Sequence, residues 1–447
     1  MLYGTLTTRK GASLIDSEEL KSHALEVLSG NSVGNWTRPA PGLYPHQWLW
    51  DSCFVAIGLA ATNPERASVE LLSLARGQWP NGMMPHMIYS PHVPYRFEAL
   101  LWGTKGLSPK AAKTSGITEP PVLAIAAEKV AGALAPKARA QFIDAMLPVL
   151  VNYHQWIYRE RDPKNTGLAV CLHSWESGMD DSPYWTDAMS HLPKPPLKWR
   201  WLREYRPVRA EERAEPREIQ RMVTLAHTIK KYRYDSAKIM EHSSVAIQDI
   251  VFNCVLAAAN ESLERLAEEA GTSLKPDLRD RFAPTRRAIE GLWDDETNQY
   301  YSRDYLTGQL IQVQAVSTFM PLFAGTASLK RAQLLRDLIV GEDGYNVPFP
   351  LPSVPIKSPF FEPRRYWRGP VWINMNWFVV AGLERYGFTE EAEWLRLHTL
   401  GLVRKSGFRE YYNPLTGEGL GATSFSWTAA LTLDLLEREP ALESDPD

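Results

Sequence analysis

The sequence predicts an all-α fold, a toroid of helical hairpins of the (α/α)6 type. About a dozen segments show the apolar period of 3.6 residues that indicates a helix, and few show the alternation of a strand. The segments between these helices are loaded with Trp, Tyr and Asp. Hairpins joined in this way form a ring that gathers its connecting loops at one mouth. We therefore expect one domain over residues 1–447, with a lid-like insertion at about 181–240.

The individual helices follow from apolar spacing and from capping residues. The first is predicted over residues 17–30, and the second is the apolar run that begins at Phe54. The third begins with Asn63 as a cap and Pro64 in the first turn, and it ends at Gly77. The remaining helices are predicted over residues 122–130, 137–161, 238–270, 275–293, 327–340, 389–404 and 424–438.

The remaining segments are predicted as loops, one hairpin and the insertion. Residues 292–308 have the turn signals of a hairpin, and residues 409–417 are predicted as a loop. Within residues 181–240, prolines interrupt the pattern and basic side chains dominate, which indicates a lid rather than a separate domain. Exposed tryptophans in this lid would permit a homo-oligomer.

The stretch from His173 to Pro183 has the composition of an active-site loop. No apolar period runs through it, and loops on a rigid scaffold are where catalytic groups tend to lie. An indole such as Trp175 that screens the nearby Asp180 from water would raise the pKa of that carboxyl group, so that it stays protonated as a general acid. A cluster of Asp, Ser and Pro usually indicates only a turn, and the pattern alone leaves both readings open.

Composition and charge exclude several classes of function. A net charge of -3 gives no electrostatic footprint for nucleic acid, and no apolar run is long enough to cross a membrane. The three cysteines are too widely spaced for a zinc site, and no motif predicts another metal or a cofactor. The first ten residues lack the apolar region of a signal peptide, so we expect a cytoplasmic protein. The 16 Trp and 18 Tyr suit stacking on sugar rings, although large helical cores also use such residues.

Four sequence blocks together carry a family resemblance. They are Tyr44–Asp51, Thr114–Pro121, Trp175–Pro183, and the pair formed by Tyr366–Trp377 and Glu410–Pro414. Their order and spacing resemble glycoside hydrolase family 63, and within it the bacterial mannosylglycerate and glucosylglycerate hydrolases. The resemblance implies an (α/α)6 barrel that hydrolyses an α-glycosidic bond with inversion at the anomeric carbon.

The resemblance also implies roles for two carboxyl groups. Asp180 closes the Trp-Glu-Ser-Gly-Met-Asp block and matches the general acid, whereas Glu410 opens the Glu-Tyr-Tyr-Asn-Pro block and matches the general base. In an inverting enzyme one carboxyl group protonates the leaving oxygen, and the other, about 6.5–9.5 Å away, activates water on the opposite face of the sugar. The neighbouring acids Glu176 and Glu418 are better explained as a structural acceptor and a solvated turn residue.

A subsite for the released sugar follows from the same resemblance. Asp51 would hold sugar hydroxyls, and aromatic rings would form the wall. The residues assigned to this subsite are Tyr44, Trp48, Asp51, His86, Trp175, Gly178, Tyr366, Trp367 and Trp372. Plain core packing is the competing reading for each aromatic ring. Asn374 and Asn376 lie in an apolar helix and are expected to be satisfied inside the barrel.

Two departures from the family pattern bear on the aglycone. Glu119 stands where the family has glutamine, and an ionised glutamate there would repel the carboxylate of glycerate. No basic clamp for glycerate can be matched in the lid, where a solvated basic face is the alternative reading. The candidates for such a clamp are Arg200, Arg203, Arg217, Arg221 and Lys230.

We therefore predict an inverting α-glycosidase that acts on a small α-glucoside or α-mannoside, with glucosylglycerate or mannosylglycerate first. An α-glucosidase acting on a glucosyl disaccharide or oligosaccharide is the alternative. A sugar epimerase is a rival because that class also uses helical toroids, but it would be expected to place paired histidines at the sugar. A sugar-binding protein without activity is a second rival, against which the presence of both Asp180 and Glu410 argues.

Overall fold

The computed structural model describes residues 17–195 and 208–438, which are mainly helical. The helices of these residues are α1 (Ser17–Asn31), α2 (Leu49–Ala60), α3 (Pro64–Ala75), α4 (Arg96–Trp102), α5 (Leu123–Ala133), α6 (Pro136–Trp156), α7 (Pro183–Ala188), α8 (Pro216–Lys231), α9 (Ser236–His242), α10 (Ile250–Glu269), α11 (Pro276–Arg279), α12 (Phe282–Glu290), α13 (Met320–Ala324), α14 (Leu329–Val340), α15 (Ile373–Arg385), α16 (Thr389–Ser406) and α17 (Ser426–Glu437).

The strands are short and form two-stranded antiparallel sheets between the helices. They are β1 (Ser32–Val33), β2 (Trp36–Thr37), β3 (Gln47–Trp48), β4 (Met87–Ile88), β5 (Ile247–Gln248), β6 (Trp293–Asp294), β7 (Gln299–Tyr300), β8 (Arg303–Asp304), β9 (Arg409–Tyr412) and β10 (Gly419–Thr423). Strand β1 pairs with β2, β3 with β4, β5 with β8, β6 with β7, and β9 with β10. The pairing of β6 with β7 confirms the predicted hairpin.

Six helices form a closed inner ring. Helix α2 packs on α5, α5 on α10, α10 on α13, α13 on α15, α15 on α17, and α17 returns to α2. A second layer lies outside them, in which α3 packs on α2, α6 on α5, α12 on α10, α16 on α15 and α1 on α17. This arrangement of paired helices confirms the predicted (α/α)6 toroid.

Helix α2 shows why an inner helix is recognisable in the sequence. All of its twelve residues are buried, because an inner helix has the ring on one side and the outer layer on the other. Gly58 allows α17 to approach closely, since a Cβ atom at this position would lie 2.1 Å from the carbonyl oxygen of Ala430. By contrast, α6 buries one face, along which Phe142, Met146 and Leu150 recur at helical spacing as predicted.

Several predicted boundaries are wrong, for identifiable reasons. The helix expected over 238–270 is interrupted by β5, and a new helix α10 begins where the side chain of Asp249 accepts a hydrogen bond from the backbone N–H of Phe252. Inner helix α13 was missed because it has only five residues and contains Pro321. Residues 409–412 were expected in a loop but form β9, whose four residues are too few to show alternation.

The insertion contributes α7, α8 and α9 in its described part. Helix α8 has charged residues on one face, and its buried face includes Met222 and Leu225. The predicted clamp residues Arg200 and Arg203 lie outside the described residues. Trp185 is fully buried, so it does not provide an exposed surface for self-association, which stays a prediction. No helix within residues 17–195 and 208–438 is both long enough and apolar enough to span a bilayer.

Candidate active site

A cavity of about 200 Å³ opens at the end of the ring where the inner helices begin. The two candidate catalytic residues, the residues assigned to the sugar subsite and Glu119 all lie in its wall. These residues are Tyr44, Trp48, Asp51, His86, Glu119, Trp175, Gly178, Asp180, Tyr366, Trp367, Trp372 and Glu410. The wall also contains residues that sequence reasoning did not assign, among them His46, Trp50, Phe97, Trp102, Phe425 and Trp427.

The helix starts explain why distant residues meet in this cavity. Trp48, Trp372 and Phe425 immediately precede α2, α15 and α17, and Glu119 lies just before α5. Successive inner helices begin at the same end of the ring, because an outer helix returns the chain between them. Their N-termini carry partial positive charge, which favours carboxylates at this end.

Asp180 lies on the turn that follows Gly178, and its side chain is only partly buried. The hydroxyl of Tyr366 donates a hydrogen bond to Asp180 Oδ2 at 3.3 Å. Tyr366 has a φ of 31°, a left-handed conformation that costs a non-glycine residue about 1–3 kcal/mol. Its backbone carbonyl accepts a hydrogen bond from Trp372 Nε1 at 3.1 Å. The hydrogen bond from Trp372 therefore helps to hold the strained backbone of Tyr366 in the position from which its hydroxyl contacts Asp180.

Gly178 has two reasons to be glycine. Its φ is 74°, and a Cβ atom there would lie 2.3 Å from the Trp50 ring. We expect Gly178→Ala to lower the free energy of unfolding by about 1–3 kcal/mol and to lower kcat/KM, because the added methyl group pushes the turn that carries Asp180 away from Trp50. Denaturant unfolding and initial-rate kinetics measure the two effects.

The matched control for that substitution is Gly308→Ala. Gly308 has the same φ of 74°, but no atom lies within 4 Å of the position of its Cβ. The control therefore reports the backbone strain alone, without a clash and far from the cavity wall. Equal losses of stability and activity in the two variants would contradict the role given to the Trp50 contact.

Glu410 is the second candidate catalytic carboxyl group, and both of its oxygens accept hydrogen bonds. Oε1 accepts hydrogen bonds from the Tyr44 hydroxyl at 2.7 Å and from Arg213 Nη1 at 3.0 Å. Oε2 accepts hydrogen bonds from Arg213 Nη2 at 3.0 Å and from the backbone N–H of Ala422 at 2.9 Å. Glu410 is only 2% exposed, so these contacts replace water almost completely.

Asp51 and Glu119 form a pair of buried acids beside the first turn of α2. Glu119 Oε2 accepts a hydrogen bond from the backbone N–H of Trp50 at 3.1 Å. Burial, together with the charges of Asp51 and Asp180, raises the pKa of Glu119 well above its ordinary value. Burial and the charge of Glu410 likewise raise the pKa of Asp51. A raised pKa favours a protonated Glu119, which can donate a hydrogen bond as the glutamine expected there from the resemblance would.

The raised pKa of Glu119 makes stability depend on pH. Between the ordinary pKa of 4.5 and the raised value, the folded state holds a proton that the unfolded chain releases, so the free energy of unfolding falls as pH rises through this window. Glu119→Gln removes this titration. We expect its thermal unfolding midpoint to exceed that of the wild type by roughly 2 °C near pH 7.5, with the difference closing near pH 4.

Thermal scans at both pH values test this expectation. Glu296→Gln is the control, because it makes the same chemical change at an exposed position in the turn between β6 and β7. A difference between Glu119→Gln and the wild type that is the same at both pH values would contradict a titrating Glu119.

Aromatic rings form the rest of the wall. The rings of Trp367 and Trp372 are stacked with centroids 3.9 Å apart, and Tyr411 lies 4.6 Å from Trp372. On the opposite side, His86 lies 5.2 Å from Trp48 and 6.1 Å from Trp175. Trp367 and Trp372 therefore pack against each other in the core and also line the cavity.

His86 is a neutral, anchored side chain. Burial lowers the pKa of His86 well below its ordinary value, and Ser115 Oγ lies 2.6 Å from Nδ1. Its Nε2 has no hydrogen-bond partner among the described residues, and the same holds for Trp48 Nε1. Both residues line the cavity, and both ring nitrogens are buried.

Glu176 and Asp181, the acids close to Asp180 in the sequence, both pair with arginines. Glu176 accepts two hydrogen bonds from Arg161, at 2.9 and 2.6 Å, and one from the Leu172 backbone at 2.7 Å. Asp181 pairs with Arg365 at 3.2 Å, and burial raises its pKa to about 6 against the opposing charges of Arg368 and Arg365. That ion pair ties the loop of Asp180 to the segment that carries Tyr366.

Two further expectations have mixed outcomes. Glu418 pairs with Arg364 at the surface, as expected for a turn residue. Asn376 donates a hydrogen bond to Thr399 at 2.9 Å, but neither side-chain atom of Asn374 has a partner among the described residues. The expectation that both asparagines are satisfied is therefore wrong for Asn374 and for Oδ1 of Asn376, which also has no partner among the described residues. That expectation counted burial without the partners that burial requires.

The lid candidates that the structure describes, Arg217, Arg221 and Lys230, do not line the cavity. Arg217 pairs with Glu215 and Glu218, Arg221 pairs with Glu218, and Lys230 donates a hydrogen bond to the carbonyl of Leu100. These contacts correct the suggestion that one of these side chains clamps the aglycone. Within the described part of the lid, Arg213 is a basic side chain that reaches the site, where it donates hydrogen bonds to Glu410. Arg213 lies in a run of alternating charges, a pattern typical of a solvated face, so the sequence does not reveal that its side chain is buried.

Two carboxyl groups beside an aromatic cavity at the mouth of a helical toroid suit a glycoside hydrolase, and the comparisons show that class. The family model of the mannosylglycerate hydrolase MGH1-like glycoside hydrolase domain matches residues 44–428. The mannosylglycerate hydrolase of Thermus thermophilus is 42% identical over 92% of this chain and 99% of its own length. The glucosylglycerate hydrolase of Mycolicibacterium hassiacum is 34% identical over 94% and 98% of the two chains.

A solved structure agrees with these sequence matches. The crystal structure of the glycoside hydrolase family 63 mannosylglycerate hydrolase from Thermus thermophilus in complex with Tris and D-glycerate is 40% identical, with a TM-score of 0.86. It is matched over its full length by 94% of this chain. The chain belongs to the MGH1-like family of glycoside hydrolases within glycoside hydrolase family 63. This membership decides in favour of a hydrolase over an epimerase or an inactive binding protein.

Proposed function

We propose that this enzyme hydrolyses the α-glycosidic bond of mannosylglycerate or glucosylglycerate with inversion, and that it releases free hexose and glycerate. The names of the relatives and the D-glycerate bound to one of them support this substrate class. An α-glucosyl disaccharide is less favoured, since these relatives match nearly the whole chain and carry hexosyl-glycerate names.

One observation carries the proposal. Asp180 and Glu410 line the same cavity, and each receives a hydrogen bond from a different tyrosine, Tyr366 and Tyr44 respectively. Asp180 donates its proton to the glycosidic oxygen as the bond to the anomeric carbon breaks. Water attacks that carbon from the opposite face and gives its proton to Glu410. The hexose therefore leaves as the β-anomer.

The remaining polar groups of the wall suit the sugar hydroxyls. Asp51 and Glu119 supply carboxyl oxygens at the start of α2, and Trp48 Nε1 and His86 Nε2 supply ring nitrogens. A protonated Glu119 adds a donor and does not repel an anionic substrate. This accounts for a glutamate where the family has glutamine, without requiring a neutral aglycone.

Proton NMR of the purified protein with α-mannosylglycerate and with α-glucosylglycerate tests reaction, substrate and stereochemistry together. We expect the anomeric signal of the β-hexose first, followed by mutarotation to the α-anomer. First appearance of the α-anomer would overturn inversion. Absence of turnover on both compounds would overturn the hexosyl-glycerate assignment, and α-glucosyl disaccharides provide the comparison in the same experiment.

A cytoplasmic location is part of the same proposal. Cys53, Cys171 and Cys254 are all free thiols and all are buried. Reduced cysteines are expected where glutathione and thioredoxin keep thiols reduced, which supports this location.

A further inference from the structure

Asp181, the residue after the proposed acid, is a buried carboxyl group that takes no part in the proposed reaction. It is fully buried and is not among the residues that line the cavity. Its Oδ2 faces two guanidinium groups, with Nε of Arg365 at 3.2 Å and Nε of Arg368 at 3.4 Å. These arginines are only 8% and 7% exposed. The three side chains therefore form an ionic cluster that is almost closed to water.

Stability alone does not explain this cluster. Oδ1 of Asp181 is buried and has no hydrogen-bond partner among the described residues. Attraction to a cation offsets the cost of burying a carboxylate only where the remaining lone pairs are satisfied as well. Burial accordingly raises the pKa of Asp181 to about 6 against the opposing charges of Arg368 and Arg365. A buried charge with an incomplete set of partners beside an active site indicates a functional role.

The two arginines of the cluster stand on either side of Tyr366 in one tight turn. Within this turn the backbone N–H of Arg368 donates a hydrogen bond to the carbonyl of Arg365 at 2.7 Å, and that of Glu362 donates one to the carbonyl of Arg368 at 2.8 Å. A left-handed backbone such as that of Tyr366 persists only where its surroundings hold it. Asp181 thus anchors the turn from both sides of the strained residue.

The contact that this turn provides is sensitive to small movements. The Tyr366 hydroxyl lies 3.3 Å from Asp180 Oδ2, beyond the usual range of about 2.5–3.0 Å for such a bond. When Asp180 gives its proton to the leaving oxygen, this hydroxyl stabilises the carboxylate that is left behind. A turn displaced away from Asp180 would lose that stabilisation, because the hydrogen bond is already long.

We propose that Asp181 is a positioning residue for the general acid, and that it acts through Arg365 and Arg368 to hold the Tyr366 hydroxyl against Asp180. The transferred proton passes from Asp180 to the glycosidic oxygen, and Asp181 neither gives nor takes it. The inference rests on the proposed function, because it takes Asp180 as the acid.

Asp181→Asn tests this role, because asparagine keeps the shape of the side chain and removes its charge. We expect kcat for hexosyl-glycerate to fall by about 10–100-fold, since a shift of about 1 Å in a catalytic geometry can cost about 100-fold. An α-hexosyl fluoride has a leaving group that needs no full proton, so kcat for this compound should change little. Retained turnover of the fluoride also shows that the variant is folded and that its cavity is intact.

The pH dependence gives a readout that a purely structural role would not move. The charges of Arg368 and Arg365 favour the carboxylate of Asp181, and those of Glu362 and of Glu218 on α8 oppose it. With a pKa of about 6, Asp181 loses its charge in mild acid, where the wild type comes to resemble Asp181→Asn. The ratio of wild-type to variant kcat for hexosyl-glycerate should therefore be constant above about pH 7 and fall below about pH 6, by up to about tenfold per pH unit. Titration of Glu410 occurs in both proteins and cancels in this ratio.

Three further variants complete the test. Asp181→Glu keeps the charge on a longer side chain, so its kcat for hexosyl-glycerate should lie between those of the wild type and Asp181→Asn. Asp187→Asn makes the same chemical change at an exposed position of α7 and should leave both substrates unaffected. Tyr366→Phe removes the hydroxyl, and in this background Asp181→Asn should cost little more. Losses that add in the double variant would overturn the route through Tyr366.

The outcomes separate this inference from the proposed function. Equal losses on hexosyl-glycerate and on the fluoride in Asp181→Asn, no loss on either, or a ratio independent of pH would overturn the role of Asp181 while the wild type still hydrolyses hexosyl-glycerate. A wild type that does not hydrolyse hexosyl-glycerate would overturn the proposed function and this inference with it. A loss confined to hexosyl-glycerate, with a ratio that falls in mild acid, supports both.

Discussion

Asp180→Asn should lower kcat for hexosyl-glycerate by about 10²–10⁴-fold, the usual contribution of a general acid. Asparagine has the same shape as aspartate but carries no transferable proton. The side chain is only partly buried and its contact with the Tyr366 hydroxyl can persist, since the amide oxygen accepts that hydrogen bond. We therefore expect the unfolding midpoint to change little while the reaction slows.

A substrate with a better leaving group identifies the role of Asp180. Fluoride departs from an α-hexosyl fluoride without needing a full proton, so Asp180→Asn should hydrolyse this compound nearly as fast as the wild type does. The alkaline limb of kcat/KM against pH, which reports the acid, should also disappear. Asp187→Asn, a change to an exposed residue of α7, is the control. An equal loss on the fluoride and on hexosyl-glycerate would show that Asp180 has another role.

Glu410→Gln should be as damaging as Asp180→Asn, but in a different pattern. An amide cannot take the proton of the attacking water, so kcat should fall by about 10²–10⁴-fold on hexosyl-glycerate and on α-hexosyl fluoride alike. The acidic limb of the pH profile, which reports ionisation of the base, should be lost. Initial rates on the two substrates across pH measure all three effects.

The choice of glutamine over alanine follows from Arg213. Glu410→Ala would leave the buried guanidinium of Arg213 without its counter-ion. Burial lowers the pKa of Arg213, but the charge of Glu410 raises it, and the pKa lies above its ordinary value overall. Breaking a buried ion pair from one side typically costs about 3–5 kcal/mol. Glu296→Gln is the matched control at an exposed position. Retained activity on hexosyl-glycerate in Glu410→Gln would contradict the assignment of the base.

The ring could be predicted from the sequence because its helices have strong local signals. Helix α2 is apolar around its whole circumference, and α3 begins where Asn63 accepts a hydrogen bond from the Arg66 backbone at 3.0 Å, as its capping pattern predicts. Helix α13 has neither signal, since it is short and contains Pro321, and only the ring around it makes it helical.

The site was predictable to a different degree. Asp180, Glu410 and their aromatic neighbours lie in blocks whose resemblance to a family located them, and the structure brings all of them to one cavity. Arg213 could not be found in this way. Its partner Glu410 is 197 positions away, and no local pattern encodes a contact between an insertion and a distant strand. Contacts of this kind depend on the closed ring rather than on the segment that carries them.

The closure of the ring by α17 against α2 also sets the order in which the enzyme becomes complete during synthesis. The ribosome delivers Asp51 early, but its cavity lacks Glu410, Phe425 and Trp427 until the last inner helix emerges. Until α17 has emerged, the ring is open between α15 and α2 and the wall lacks these residues. We therefore expect activity only once nearly the whole described chain has been made, because the segment that completes the wall is also the one that closes the ring.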